Sequence, residues 1–265
     1  MLPPEIIDHV LSFLQWDRAT LKACAQILRL SKLVERHLYA HLTVQNLNFT
    51  SWIRTSDAYY PSDLLKLTLD NPNIPKHIRS LRINLFVSKG WLSAAASNYQ
   101  ELESILPALT QLQAILLSST NSSIRWHDLR ESFRISFTNC LRLPTLTDVK
   151  VSNIDAFPLS ALDHCSSLKR LLLLGSFRYL PSASSLPHPS LDSLVLHQCS
   201  SMETVTSWME SRSLHSLDFN GDFMLFSQLL EVCANTLTTL MVHVPHTCTL
   251  TLCLTSSNNQ ITNVF

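Results

Sequence analysis

Three successive stretches decide the fold: Leu168-Lys169-Arg170-Leu171-Leu172-Leu173-Leu174, Leu191-Asp192-Ser193-Leu194-Val195-Leu196-His197 and Leu214-His215-Ser216-Leu217-Asp218-Phe219-Asn220. Each is apolar at its first, fourth and sixth positions, the spacing of a short strand entered by a buried residue. Working outward, the same frame fits Ile78-Leu81-Ile83, Leu112-Ile115-Leu117, Leu146-Val149-Val151 and Leu237-Leu240-Val242. Leu fills 49 of the 265 positions, so a single match means nothing. The successive first positions, however, differ by 34, 34, 22, 23, 23 and 23 residues, and a phase held that long marks a repeat.

Periods of 22 and 23 residues fall in the range of leucine-rich repeats, in which each unit supplies one strand and a return segment. The predicted fold is therefore α/β: a leucine-rich-repeat solenoid with a parallel sheet on the concave face and helices on the convex face. The two 34-residue units have room for longer outer helices, with Ser93 to Leu106 and Trp126 to Phe133 as candidates. The residue eight places after each first position, often Asn or Cys in such repeats, is Thr120, Ser176, Cys199 or Asp222 in four units. It is Phe86, Ile154 or Pro245 in the others, so the side-chain ladder that satisfies the backbone is incomplete.

Alternation along each strand sends its third, fifth and seventh residues to the concave face. There Leu172, Leu174, Val195 and Met241 are apolar, and Lys150, Arg170, His197 and Asp218 surround them. Apolar side chains rimmed by charge predict a binding surface for a protein substrate. The competing reading is a strand at 171–174 covered on both faces by a loop.

Composition narrows the function. Twenty Lys plus Arg balance twenty Asp plus Glu, and no stretch concentrates one sign, which argues against nucleic acid as a partner. Only three Gly occur, at Gly90, Gly175 and Gly221, too dispersed for a phosphate-cradling loop. No apolar run approaches the ~20 residues of a membrane span, and Met1-Leu2-Pro3-Pro4-Glu5 lacks the basic start of a secretory signal. No membrane partner is expected, and the expected compartment is cytoplasmic or nuclear, where seven cysteines read as buried small apolar residues.

The first 42 residues have a different texture. Ile6, Ile7, Val10, Leu11 and Leu14 line one face of a helix that Pro3 and Pro4 begin. Asp17 suits the cap of a second helix through Leu21 and Cys24 to about Leu28, and Leu33, Val34, His37 and Leu38 mark a third. Such a unit is too small to be very stable alone and is expected to lean on a partner or on the rest of the chain. The chain thus divides into a helical segment 1–42, a linker and first layer 43–77, and the repeat array 78–265. The linker holds a short strand from Leu42 to Val44 and a helix from Ser62 to Leu69 after Pro61. Ile261-x-x-Val264 is in phase for a further strand, and no polar terminal cap follows it, which suggests a truncated product or an edge hidden in a dimer.

The segment Leu2-Pro3-Pro4-Glu5-Ile6-Ile7-Asp8-His9-Val10-Leu11-Ser12-Phe13-Leu14, with Asp17, Leu21 and Cys24, resembles an F-box, the helical module that binds the Skp adaptor of SCF ubiquitin ligases. The passage through Arg36-His37-Leu38-Tyr39-Ala40-His41-Leu42-Thr43-Val44 is similar to the way fungal F-box proteins lead into leucine-rich repeats. The resemblance implies that Leu2, Pro3, Ile7, Leu11 and Leu14 pack against the adaptor, and that the chain joins a cullin-RING ligase as its substrate-recognition subunit. The aromatic residue usual late in that module is missing between Gln26 and Arg36, which predicts a loosely docked third helix. The competing reading is a helical cap on a repeat scaffold with no ligase role.

No catalytic motif appears. His243-x-x-His246 with Cys248 and Cys253 fits no common zinc spacing, so neither metal nor cofactor is expected. His127-Asp128 and Asp163-His164 read as solvated loop or helix-end residues, and the chain is not expected to be an enzyme.

Overall fold

The computed structural model describes residues 3–15, 17–27, 30–45, 58–86, 99–120, 122–179, 190–221, 223–243, 249–254 and 261–264. Three short helices come first: α1 (Pro4–Phe13), α2 (Arg18–Ala25) and α3 (Ser31–Leu38). The strands follow as β1 (His41–Gln45), β2 (Ala58–Tyr59), β3 (Ser80–Phe86), β4 (Ala114–Thr120), β5 (Ile124–Arg125), β6 (Asp148–Ser152), β7 (Ile154–Asp155) and β8 (Phe157–Pro158). The remainder are β9 (Arg170–Leu174), β10 (Phe177–Arg178), β11 (Leu191–His197), β12 (Leu214–Asn220), β13 (Thr239–His243), β14 (Thr249–Leu254) and β15 (Ile261–Val264).

Nine of these strands form one parallel array in the order β2-β1-β3-β4-β6-β9-β11-β12-β13. The chain is a mixed α/β protein built on this sheet. Its register follows the repeat frame, since Ser80, Ala114, Asp148, Arg170, Ser193, Ser216 and Thr239 stand opposite one another in turn. All the patterned apolar residues of the seven units are buried, from Ile78 to Val242. Between them the strand residues from β3 to β13 are partly or wholly exposed, so among the described residues the parallel array buries one face only, unlike a parallel sheet covered on both sides. That answers the reading of 171–174 as a doubly covered strand: Leu171 and Leu173 are buried, and Leu172 and Leu174 are not.

The buried face is closed by helices at Pro61–Asp70, Gln100–Ile105, Glu131–Leu141, Met202–Met209 and Phe223–Cys233, whose apolar residues join the same core. The wide 34-residue units are filled with aromatic rings. Trp126 lies 5.0 Å from Phe157 and 5.9 Å from Phe137, and Tyr99 lies 5.4 Å from Phe133, all at angled ring contacts favoured in cores.

Three expectations need correction. Ile261–Val264 is a strand, but it pairs antiparallel with Thr249–Leu254, which is itself antiparallel to β13, so the sheet ends in a reversed pair rather than another parallel layer. The outer helix predicted from Trp126 to Phe133 is only one 3-10 turn at Trp126–Asp128; the helix proper runs Glu131–Leu141 and buries Phe133, Phe137, Cys140 and Leu141 along one face. The gap that Ile154 leaves in the side-chain ladder is filled by its neighbour: Asn153, in the left-handed region at φ 56°, donates from Nδ2 to the Ser119 carbonyl at 3.0 Å. The other predicted outer helix is seen as Gln100–Ile105, and its stretch before Tyr99 lies outside the described residues.

Cys24, Cys140, Cys165, Cys199 and Cys233 are free thiols, and Cys140, Cys165 and Cys233 are buried. Burial pushes the thiols of Cys140, Cys165 and Cys199 up to about 12 and that of Cys233 to about 11. Since the thiolate is the nucleophile, these four should stay unmodified by iodoacetamide at pH 8 in the native chain and react after denaturation. Peptide mapping that found them alkylated in the native state would contradict the burial of Cys140, Cys165 and Cys233 in the core and the packing of Cys199 against it.

Candidate functional site

Two surfaces stand out, one on the helical unit and one on the open face of the sheet. In the first, Leu11, Leu21, Val34 and Leu38 form a small core of their own, with Ile7, Leu14, Cys24, Leu30 and Leu33 packed around it. Asp17 caps α2 as expected, accepting from the Thr20 amide at 3.0 Å and the Thr20 hydroxyl at 2.7 Å. The third helix is not loosely docked. Asp8 on α1 accepts from His37 Nε2 at 2.7 Å and pairs with Arg36, both on α3, while Val34 and Leu38 fill the core without help from an aromatic residue. The unit also leans on the sheet edge: Arg18 donates to the Tyr59 hydroxyl at 2.8 Å and lies over its ring, and Tyr39 packs against both cores.

The His37 hydrogen bond, reinforced by Arg36 and opposed by partial desolvation, holds the Asp8 carboxyl below the usual Asp value. A depressed folded pKa stabilises the folded form above the unfolded value of about 3.9, and that contribution is lost as pH falls through the folded pKa. Hydrogen exchange across residues 4–38 should therefore quicken, relative to intrinsic rates, as the pH falls below about 4. The increment should be much smaller in Asp8→Asn. Equal pH responses in the two chains would remove Asp8 as the cause.

The helix α1 divides its apolar residues between two sides. Leu11 is buried and Ile7 and Leu14 are partly covered by the unit's own core, so these three expected adaptor contacts face inward in whole or in part. Pro3 is exposed at the start of the helix, and Leu2 lies outside the described residues. The open stripe is Ile6, Val10 and Phe13, exposed by 48, 52 and 73% and spaced four and three residues apart. The apolar run thus does not form the single face its spacing predicts, for Ile6 and Ile7, and Val10 and Leu11, are adjacent pairs. A helix turns ~100° between neighbours, so such pairs straddle the boundary between core and surface.

On the sheet, the expected residues come together. Lys150, Leu172, Val195, Asp218 and Met241 stand side by side on β6, β9, β11, β12 and β13. Leu174 and His197 are opposite one another in the adjoining row. Leu172, Leu174, Val195 and Met241 are partly exposed, and Lys150 and Arg170 are exposed. Arg170 is clamped to Asp148 by two bonds, one from Nη2 at 2.9 Å, which raises its already high pKa. Asp218 sits between two imidazoles, with Oδ1 at 3.0 Å from His243 Nε2 and 3.9 Å from His197 Nε2. His243 is not among the site residues expected from sequence, although as the seventh residue of the unit begun by Leu237 it falls on this face by the same alternation; it stands beside Asn220, two residues along β12 from Asp218.

Two other pairs resolve differently. His127 is half-exposed beside Asp128, which Arg125 holds at 2.9 Å. Asp163, expected as a solvated loop or helix-end residue, does lie at the end of the 3-10 turn Leu159–His164 but is buried there: Oδ1 accepts from Trp208 Nε1 at 2.9 Å and Arg212 Nη2 at 2.7 Å. Among the described residues no group of three His, Cys, Asp or Glu side chains is arranged to hold a metal, and no helix is long and apolar enough to cross a membrane. His246 and Cys248 lie outside the described residues. No family model matches the chain, and no curated protein matches it.

Proposed function

We propose that the chain is a substrate-recognition subunit of an SCF-type ubiquitin ligase, with an F-box at residues 1–42 and a leucine-rich-repeat solenoid after it. The observation that carries this reading is the stripe Ile6-Val10-Phe13, apolar and open on a helix that begins with Pro3-Pro4 and whose opposite side is satisfied by its own core. A plain cap would turn its apolar residues onto the first layer it shields. This helix holds three of them away from its core, as a helix that docks on a partner would. The frame of parallel strands supports the solenoid, and its one open face supports a second binding surface.

The mechanism is tethering. The helical end holds the Skp adaptor and thereby the cullin-RING ligase, the sheet face holds a protein target, and the high effective concentration of target lysines near the conjugating enzyme drives transfer. No group in this chain performs chemistry in that scheme, and no cofactor takes part. Co-expression of the full chain with the Skp adaptor should yield a complex that survives size-exclusion chromatography. Separate elution of the two proteins would leave the alternative, a repeat scaffold whose helices serve only as a cap.

A further inference from the structure

The open sheet face carries an unbalanced charge beside its apolar residues. Arg82, Leu116, Lys150, Leu172 and Val195 form one row across five strands, each beside the next. Asp148 on this face is matched by Arg170, and Asp218 lies between His243 and His197. Arg82 and Lys150 are exposed and have no ion pair or hydrogen bond among the described residues. Two cations without a partner thus stand on this face, beside an Arg170 that Asp148 already holds. They are two strand spacings apart, about 10 Å, with Leu116 between them and Leu172 and Val195 beyond.

We infer that this face takes an extended acidic and apolar segment of a partner protein, laid across the strands with carboxylates at Arg82 and Lys150 and an aliphatic side chain on Leu172 and Val195. An extended segment projects alternate side chains to one side at about 6.6–7 Å intervals. Two carboxylates two or three residues apart therefore fall within reach of the long Arg and Lys side chains, and the next apolar residue lands on the aliphatic pair. Nucleic acid fits less well: Arg82 and Lys150 are too few to track a phosphate chain, and the described residues of this row offer no aromatic ring for a base to stack on. The inference rests on the reading that this face receives a target, and adds the target's chemistry.

Fluorescence anisotropy on the full chain tests it. The probes are a fluorescein-labelled peptide Gly-Ser-Glu-Ser-Glu-Leu-Leu-Ser-Gly, its counterpart with Lys for Glu, its counterpart with Ser for Leu, and an oligothymidylate. The first should bind, and the other three should bind at least about tenfold more weakly. Arg82→Glu with Lys150→Glu should weaken the acidic peptide by about tenfold or more and strengthen the basic one, with an unchanged circular-dichroism spectrum. The inference is overturned by absence of binding, by equal or tighter binding of the basic peptide or the oligonucleotide to the native chain, or by indifference to the charge reversal. Adaptor association, measured on the same preparation, separates the two proposals: retained adaptor with failed peptide overturns only the target chemistry, and the reverse overturns only the ligase role.

Discussion

Replacing Arg212 by Met should destabilise the chain by about 3–5 kcal/mol, a large shift in a urea midpoint. Arg212 and Asp163 are buried, with side chains exposed by only 1 and 2%. The guanidinium donates to Asp163 Oδ1, closes on the Trp208 carbonyl, and stacks 3.9 Å from the Trp208 ring. Burial lowers the Arg212 pKa and the Asp163 carboxylate counters it, so the two charges are tolerable only together. The group bolts the 3-10 turn Leu159–His164, which precedes β9, to the helix Met202–Met209, which precedes β12. Asp163 Oδ2 already lacks a hydrogen-bond partner, so losing Arg212 leaves a buried carboxylate with the Trp208 indole as its donor. The double change Asp163→Leu with Arg212→Met should recover most of the loss, since it removes both charges. A single Arg212→Met chain within about 1 kcal/mol of the parent would show that the pair is dispensable.

The other large effect concerns binding and should leave stability alone. Val10→Asp with Phe13→Asp is expected to weaken adaptor association by about a hundredfold or more, the magnitude seen when aromatic and aliphatic anchors of an interface are lost. Both side chains are more than half exposed, so the melting temperature should hardly move. Leu11→Asp is the contrast. It places a charge in the unit's core and should unfold α1 to α3, so that association is lost together with helix signal. If Val10→Asp with Phe13→Asp bound as the parent does, the open stripe would not be the docking surface.

Much of the fold was legible because its signal is redundant. One apolar-x-x-apolar-x-apolar match in a Leu-rich chain is noise, but a phase repeated from Ile78 to Leu237 fixes which residue of each strand faces inward, and with it the whole register. What the pattern does not carry is strand direction. Ile261 and Val264 suit either sense; the reversal follows from the short links at 244–248 and 255–260, since a parallel crossover needs a dozen or more residues. Helix boundaries slipped where one aromatic run, Trp126 to Phe137, serves two elements. Which residues line the open sheet face was legible for the same reason as the core, being the alternate positions of the same frame. The helical surface was only half legible, because an apolar helix in a unit this small must use one side for its own core and spare the other. Asp163 was missed because its partner lies 49 residues away, across units that a local reading treats as separate.

The most direct test of tethering through the helical end is hydrogen–deuterium exchange of the full chain with and without a saturating amount of purified Skp adaptor. Exchange should slow in residues 3–27, centred on Ile6, Val10 and Phe13, and stay unchanged in the strands from β4 to β12. Absence of any protection, or protection confined to the sheet face, would contradict tethering at that end.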